Sequence, residues 1–225
     1  MSTFISSSIG KKFFMSITGF FLMAFLVVHL SVNLLLIFDD SGELFNKGAH
    51  FMATNPMIKI VEPLLALGFI LHMLYAGFLT LNNLRARPVK YQKVNQKDSS
   101  SWASRNMFIL GFLILCFLIL HIMNFYWKLK VTHTVPSVMI DGVEMENAYE
   151  LVAGLFKTNL IYDIIYILSA IFLGLHLTHG FWSAFQTIGF SSDIWRKRVN
   201  IIGTLYAIVI AIGFSIIPLY FIIKF

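Results

Sequence analysis

Five stretches of this chain run for more than twenty residues without an aspartate, glutamate, lysine or arginine: 13–38, 63–84, 106–127, 164–192 and 199–223. At about 1.5 Å per residue, an apolar helix of about 20 residues crosses ~30 Å of hydrocarbon. Strands are a poor alternative, because a bilayer strand needs only about 10 residues and alternates with period two. These runs do not alternate. The expected fold class is therefore all-α: an integral membrane bundle of five transmembrane helices, over 12–38, 58–85, 104–130, 160–190 and 199–223. Short connections would join them into a single transmembrane domain, 1–225. Composition agrees: 58% of residues are hydrophobic and only 12% charged, against about a quarter charged in soluble domains. That excludes an ordinary cytoplasmic globule, a disordered chain and a basic nucleic-acid-binding domain. The first run follows Lys11 and Lys12 as a signal peptide would, but it far exceeds the usual apolar length of about 7–15 residues. A retained anchor is the expectation.

The charges have a geography. One side of the five spans collects eleven basic residues: Lys11, Lys12, Arg85, Arg87, Lys90, Lys93, Lys97, Arg105, Arg196, Lys197 and Arg198. With Asp98 and Asp193 that side carries +9, and the opposite loops carry −3. The positive-inside rule puts the basic side in the cytoplasm. The expected location is the bacterial cytoplasmic membrane, with the N-terminus inside and the C-terminus outside. Membrane lipid is one partner of such a face, and an electronegative soluble protein is another.

Five of the seven histidines lie inside the apolar runs: His29, His72, His121, His176 and His179. Ionisable residues at membrane depth are costly and usually functional. One such histidine can be a hydrogen-bonding residue between helices; four helices carrying at least one each is a pattern. Counting along each helix from the cytoplasmic end puts His29 and His121 at ~24–25 Å and His72 and His176 at ~18–24 Å. His29 and His121 then form an outer pair, from the first and third spans, and His72 and His176 an inner pair, from the second and fourth. His179 competes with His176, because residues three apart share a helix face.

Opposed imidazoles with no carboxylate or thiolate beside them suit bis-histidine haem. Structural zinc takes about four nitrogen or sulfur ligands, and a non-haem iron triad takes a carboxylate. Two pairs predict two b-type haems stacked across the membrane. The lone Cys116 allows neither a disulfide nor a thiolate cluster, and no C-x-x-C-H occurs for covalent haem attachment. Gly19 and Gly111 each precede an outer histidine by ten residues, Gly68 and Gly77 flank His72, and Gly174 and Gly180 flank His176. Such glycines would let a flat macrocycle approach a helix backbone. Trp102, Trp127 and Trp195 sit at span ends as interface anchors.

In this order and spacing, several short pieces resemble one family. They are Val28-His29-Leu30-Ser31-Val32-Asn33, Ala49-His50-Phe51-Met52, Leu71-His72-Met73-Leu74-Tyr75-Ala76-Gly77, His121 late in the third span, and His176-Leu177-Thr178-His179-Gly180-Phe181-Trp182-Ser183. The chain resembles the diheme cytochrome b membrane-anchor subunit of succinate:quinone oxidoreductases, which comprise succinate dehydrogenases and fumarate reductases. The resemblance implies four haem-binding helices and a fifth, peripheral one. It implies His29 and His121 as ligands of the outer iron and His72 and His176 as ligands of the inner iron, His176 being preferred over His179. It implies no dicarboxylate catalytic site in this chain. The partners it implies are a flavoprotein subunit with FAD and an iron–sulfur subunit docked on the cytoplasmic face. Electrons would pass through two haem b groups to or from a quinone, with menaquinone the usual substrate of this type. Ser16 and Trp102 resemble family positions near the inner haem propionates, and Lys12 and Arg105 have suitable charge and depth. Asn33, Asn124 and Glu62 are candidates for an outer quinone site. Two other readings compete: another diheme b-type cytochrome, and a proton-coupled transporter that relays protons through buried histidines.

Overall fold

The computed structural model describes residues 7–85, 101–190 and 192–225. Arg87, Lys90, Lys93, Lys97 and Asp98, counted above on the basic side, lie outside them. In chain order the elements are α1 (Ser8–Phe38), α2 (Glu43–Thr54), α3 (Pro56–Arg85), α4 (Trp102–Arg105) and α5 (Met107–His121). A π-helix (Ile122–Val131) continues α5. Then come β1 (Ser137–Ile140), β2 (Val143–Glu146), α6 (Ala148–Thr158), α7 (Leu160–Thr187) and α8 (Asp193–Lys224). Among the described residues, five helices are long and apolar enough to cross a membrane: α1, α3, α5 with its π continuation, α7 and α8.

The helix ends differ from the apolar runs for physical reasons. A backbone in helix keeps its hydrogen bonds whether or not its side chains are charged, so α8 begins at Asp193, well before the uncharged run. Asp193 suits the positive end of the helix dipole, and Arg196 and Arg198 lay their guanidinium groups over Trp182 and Trp195. Polar caps fix other starts. Ser7 accepts from the Gly10 N–H at 3.0 Å, and Asn159 accepts from the Ile161 N–H at 3.1 Å.

The connections at one end are not the short links expected from the sequence. Residues 43–54 and 148–158 form α2 and α6, and an antiparallel β1–β2 hairpin pairs Ser137 with Glu146 and Ile140 with Val143. Charges interrupt these segments, so they fail a test for uncharged runs, yet each is amphipathic and buries an apolar face. Together they cap the bundle. Their core joins Phe45, Tyr149 and Phe156 to Leu36 of α1, Tyr166 of α7 and Phe221 of α8. Gly42 turns the chain from α1 into α2 at φ +77°, and the Tyr149 ring fills the space a Cβ would need there. Asn46 locks the cap, donating to Asn147 Oδ1 at 3.0 Å and accepting from the Tyr149 N–H at 2.8 Å.

Packing among the spans is uneven. α7 and α8 make the most extensive contact, through small residues: a Cβ on Gly174 would stand 2.8 Å from the Ala211 Cβ. In a bilayer, where helices gain nothing by hiding apolar surface from lipid, such close backbone approach is what drives association. α1 packs against α3, α7 and α8, with Met23, Leu30, Leu177, Ala207 and Ile210 buried between them. α3 packs closely on α1 and α2, and α5 closely on α7. The diagonals α1–α5 and α3–α7 are wider, and histidine rings meet across them.

Candidate metal centre

His29 points from α1 toward His121 at the end of α5. Their ring centroids are 5.7 Å apart and the planes lie at 84°. His72 of α3 and His176 of α7 face each other with centroids 6.5 Å apart and planes at 62°. Two imidazoles bound in trans to one metal, with M–N bonds of about 2 Å and a ring radius of about 1 Å, put their centroids about 6 Å apart. Both pairs sit at that spacing. Between the two levels lie about ten helical residues, or ~15 Å. Gly19, ten residues before His29, faces the His72 ring, and Gly111, ten residues before His121, faces the His176 ring.

The ring nitrogens are set differently. The Thr18 hydroxyl donates to the carbonyls of Phe14 and Met15 at 2.9 and 3.0 Å, so its oxygen is left to accept from His72 Nδ1 at 3.3 Å. With the proton on Nδ1 in that contact, the Nε2 lone pair would be available to a metal. Asn33 spends its amide on the His29 carbonyl at 2.8 Å and reaches the His29 ring only at 3.5 Å. Nδ1 of His121 and Nδ1 of His176 are buried without a hydrogen-bond partner. Such orphaned polar atoms are costly in a dry interior.

Aromatic rings wall the pair nearer the cap. Phe25 stacks on His29 at 5.1 Å, while Phe117, Phe125 and Tyr166 surround His121 at 5.6, 5.2 and 6.0 Å. Tyr166 is held by Asn124 of the π-helix, whose amide donates to its hydroxyl at 3.0 Å. None of these ring neighbours stood out in the sequence, where they merge with the general run of aromatic residues. Thr18 had a fainter signal: a hydroxyl next to Gly19 inside an uncharged run.

Other expectations resolve residue by residue. His176, not His179, meets the His72 ring; His179 lies one turn farther along α7. Gly174 serves the α7–α8 contact and not a gap beside His176, which corrects its assignment as room for a macrocycle. Gly68 faces Phe21, and Gly180 faces Met107. Ser16 is buried and returns its hydroxyl to the Lys12 carbonyl at 3.0 Å, while Lys12 is exposed. Trp102 and Arg105 are exposed on α4, which packs closely on α5 and α7. Asn33, Asn124 and Glu62 are not drawn into one cluster: Asn124 is committed to Tyr166, and Glu62 bonds Tyr126 between α3 and the π-helix.

The donor set decides what the centre can hold. Among the described residues no group of three or more histidine, cysteine, aspartate or glutamate side chains gathers around one point. A closed zinc shell and a carboxylate-bearing iron triad both lack their ligands. Each pair offers two opposed nitrogens, so the remaining positions of any metal held there would be filled from outside this set of side chains. Compared with protein-family models, curated proteins and solved structures, the chain matches none.

Proposed function

We propose that this chain is the diheme cytochrome b anchor of a succinate:quinone oxidoreductase, carrying electrons between an iron–sulfur partner and membrane quinone. The observation that carries the reading is the crossed pairing of His29 with His121 and His72 with His176, with ring centroids 5.7 and 6.5 Å apart and no third donor among the described residues. The four Nε2 atoms would hold the two irons, and the haems would supply reversible one-electron chemistry. Thr18 orients the His72 ring through Nδ1, and Phe25, Phe117, Phe125 and Tyr166 keep water from the pair nearer the cap. Gly19 and Gly111 leave the second pair free of side chains from α1 and α5. Lys12, Ser16, Trp102 and Arg105 lie toward the end opposite the cap, where charge and hydroxyl groups suit propionates.

On this reading the basic side faces the cytoplasm of a bacterium, and the cap stands outside the inner membrane. Arg196, Lys197 and Arg198 at the start of α8 then belong to the docking surface for the iron–sulfur subunit and its FAD-bearing flavoprotein. Menaquinone is the expected quinone. The test is succinate-driven quinone reduction by the intact solubilised complex, with haem spectra recorded alongside. The expected result is turnover with two b-type haems per copy of this chain. A folded, colourless protein would refute the cytochrome, and a diheme protein isolated without a flavoprotein would refute the enzyme.

A further inference from the structure

The start of α8 gathers three consecutive cations, Arg196, Lys197 and Arg198. None of them forms an ion pair among the described residues, not even with Asp193 one turn before. Ring contacts hold the two arginines instead: Arg196 lies 5.8 Å from the Trp182 ring centroid and Arg198 5.7 Å from that of Trp195. A guanidinium stacked by its face keeps its in-plane N–H groups for an oxyanion.

These cations head two stripes down the helix. Residues four apart are neighbours on a helix surface, so Arg196 leads to Asn200 and Thr204, and Lys197 leads to Ile201 and Leu205. A groove of about 280 Å³ is lined by Asn200, Ile201, Thr204 and Leu205. It starts where the uncharged run of α8 starts, and Leu205 lies about 12 Å along the axis from Lys197. That is within one leaflet's share of ~30 Å of hydrocarbon.

The groove opens away from the bundle. Val199, Gly203 and Ala207 form the packed side of α8, and Phe181 of α7 fills the space a Cβ on Gly203 would need. Ile201 and Leu205 are exposed. The Thr204 hydroxyl is spent on the Asn200 carbonyl at 2.8 Å, whereas the Asn200 side-chain amide has no hydrogen-bond partner among the described residues. From the helix start inward the order is therefore cations, an uncommitted amide, then an apolar trough. That order matches a molecule with an anionic head, ester oxygens and a hydrocarbon tail. A soluble anion would use only the first part, and a zwitterionic lipid brings its own ammonium to the cations.

We propose that this groove is a binding site for an anionic phospholipid, with the phosphate on Arg196 and Lys197, the glycerol esters beside Asn200 and an acyl chain over Ile201 and Leu205. The inference is independent of the haem reading and needs only that α8 cross a bilayer. In the proposed complex the lipid stands at the rim of the docking surface, with its tail in the membrane.

The test is native mass spectrometry of the intact solubilised protein, stripped of lipid and titrated with dioleoylphosphatidylglycerol, dioleoylphosphatidylcholine or glycerol 3-phosphate. One basic residue near anionic lipid is worth about fivefold in binding. The first phosphatidylglycerol should therefore bind at least about fivefold more tightly than the first phosphatidylcholine, and glycerol 3-phosphate at equal concentration should not displace it. Arg196→Gln with Lys197→Gln should abolish the preference, and Arg196→Lys should keep it. Leu205→Trp, which obstructs the trough, should weaken both lipids alike. Lys11→Gln with Arg85→Gln removes the same charge from the same side and should leave the preference intact. A wild type without preference, equal losses in the two double variants, or displacement by glycerol 3-phosphate overturns the proposal. So does an Arg196→Gln, Lys197→Gln protein that sheds protein partners while its lipid preference stays. If that double variant does not fold, Lys197→Gln alone decides: a preference cut by about fivefold is expected, and an unchanged preference overturns the site.

Discussion

Gly111 of α5 lies against the imidazole of His176: a Cβ on the glycine would stand 3.7 Å from His176 Cε1. Gly19 of α1 holds the same position against His72, at 3.8 Å from its Cε1. These are ordinary contact distances, so one methyl fits and a branched side chain does not. If the proposed haem reading holds, Gly111→Ala and Gly19→Ala should keep both haems. Gly111→Leu and Gly19→Leu should drive a side chain into the His72–His176 pair and lower the haem content by about half. Pyridine haemochrome assay of purified protein measures this. Full occupancy in both leucine variants would show that neither glycine guards the centre.

On the proposed haem reading, the crossed pairing predicts which haem each histidine change removes. His29→Ala and His121→Ala should abolish the same spectral component, and His72→Ala and His176→Ala the other. Each variant should retain about half the haem, because each iron depends on its own two nitrogens. His179→Ala should retain both. Low-temperature spectra of the reduced proteins distinguish the components, and any other grouping of the four variants would break the assignment.

Tyr166→Phe deletes the hydroxyl that Asn124 bonds at 3.0 Å. Hydrogen bonds between membrane helices are worth about 0.6 kcal/mol on average and about 1.7 at most. A loss in the upper part of that range is expected here, because both residues are buried and the freed amide finds no water. Thermal unfolding in detergent reads the stability. The His29–His121 component should shift in the spectrum while the other stays fixed, since Tyr166 touches only His121 of the four paired histidines.

Lys224 and Tyr220 hold the Asp40 carboxyl below its ordinary value of 3.8. A carboxylate depressed in the folded state contributes stability above the unfolded value and loses it as pH falls through the folded one. The tie between the end of α8 and the α1–α2 turn should therefore be whole at pH 7 and fail below about pH 4. Asp40→Asn should release the tie at every pH. Hydrogen exchange of residues 220–225 should be fast in Asp40→Asn at pH 7 and, in the wild type, accelerate beyond the intrinsic pH trend only in acid.

The spans were legible because each is a long uncharged run, and a helix converts residue count into depth almost linearly. The same arithmetic set His29 level with His121 and His72 level with His176, where their rings meet. Depth says nothing about azimuth, and so the glycines were misread: Gly174 faces α8, and Gly19 and Gly111 serve the pair one level away from the histidines they precede. The π-helix after His121 was invisible, since its i→i+5 bonds, such as Thr132 N–H to the Trp127 carbonyl at 2.9 Å, leave no residue signature. The cap was overlooked because its charges masked its periodicity. Asp163 escaped notice as one more acid in an acidic loop, although α7 carries it indoors.

The two histidine pairs interlace along the chain: 29 joins 121 and 72 joins 176. Neither pair closes within a single helical hairpin. During synthesis, α1 and α3 are made before α5 and α7, which carry their opposite numbers. On the haem reading, a cofactor that needs both nitrogens could not be captured by α1 and α3 alone, and its insertion would fasten the early hairpin to the late one. A chain starved of that cofactor would hold its halves together chiefly where α1 rests on α7 and α8, so quality-control proteases would have their opening at the α3 side of the bundle.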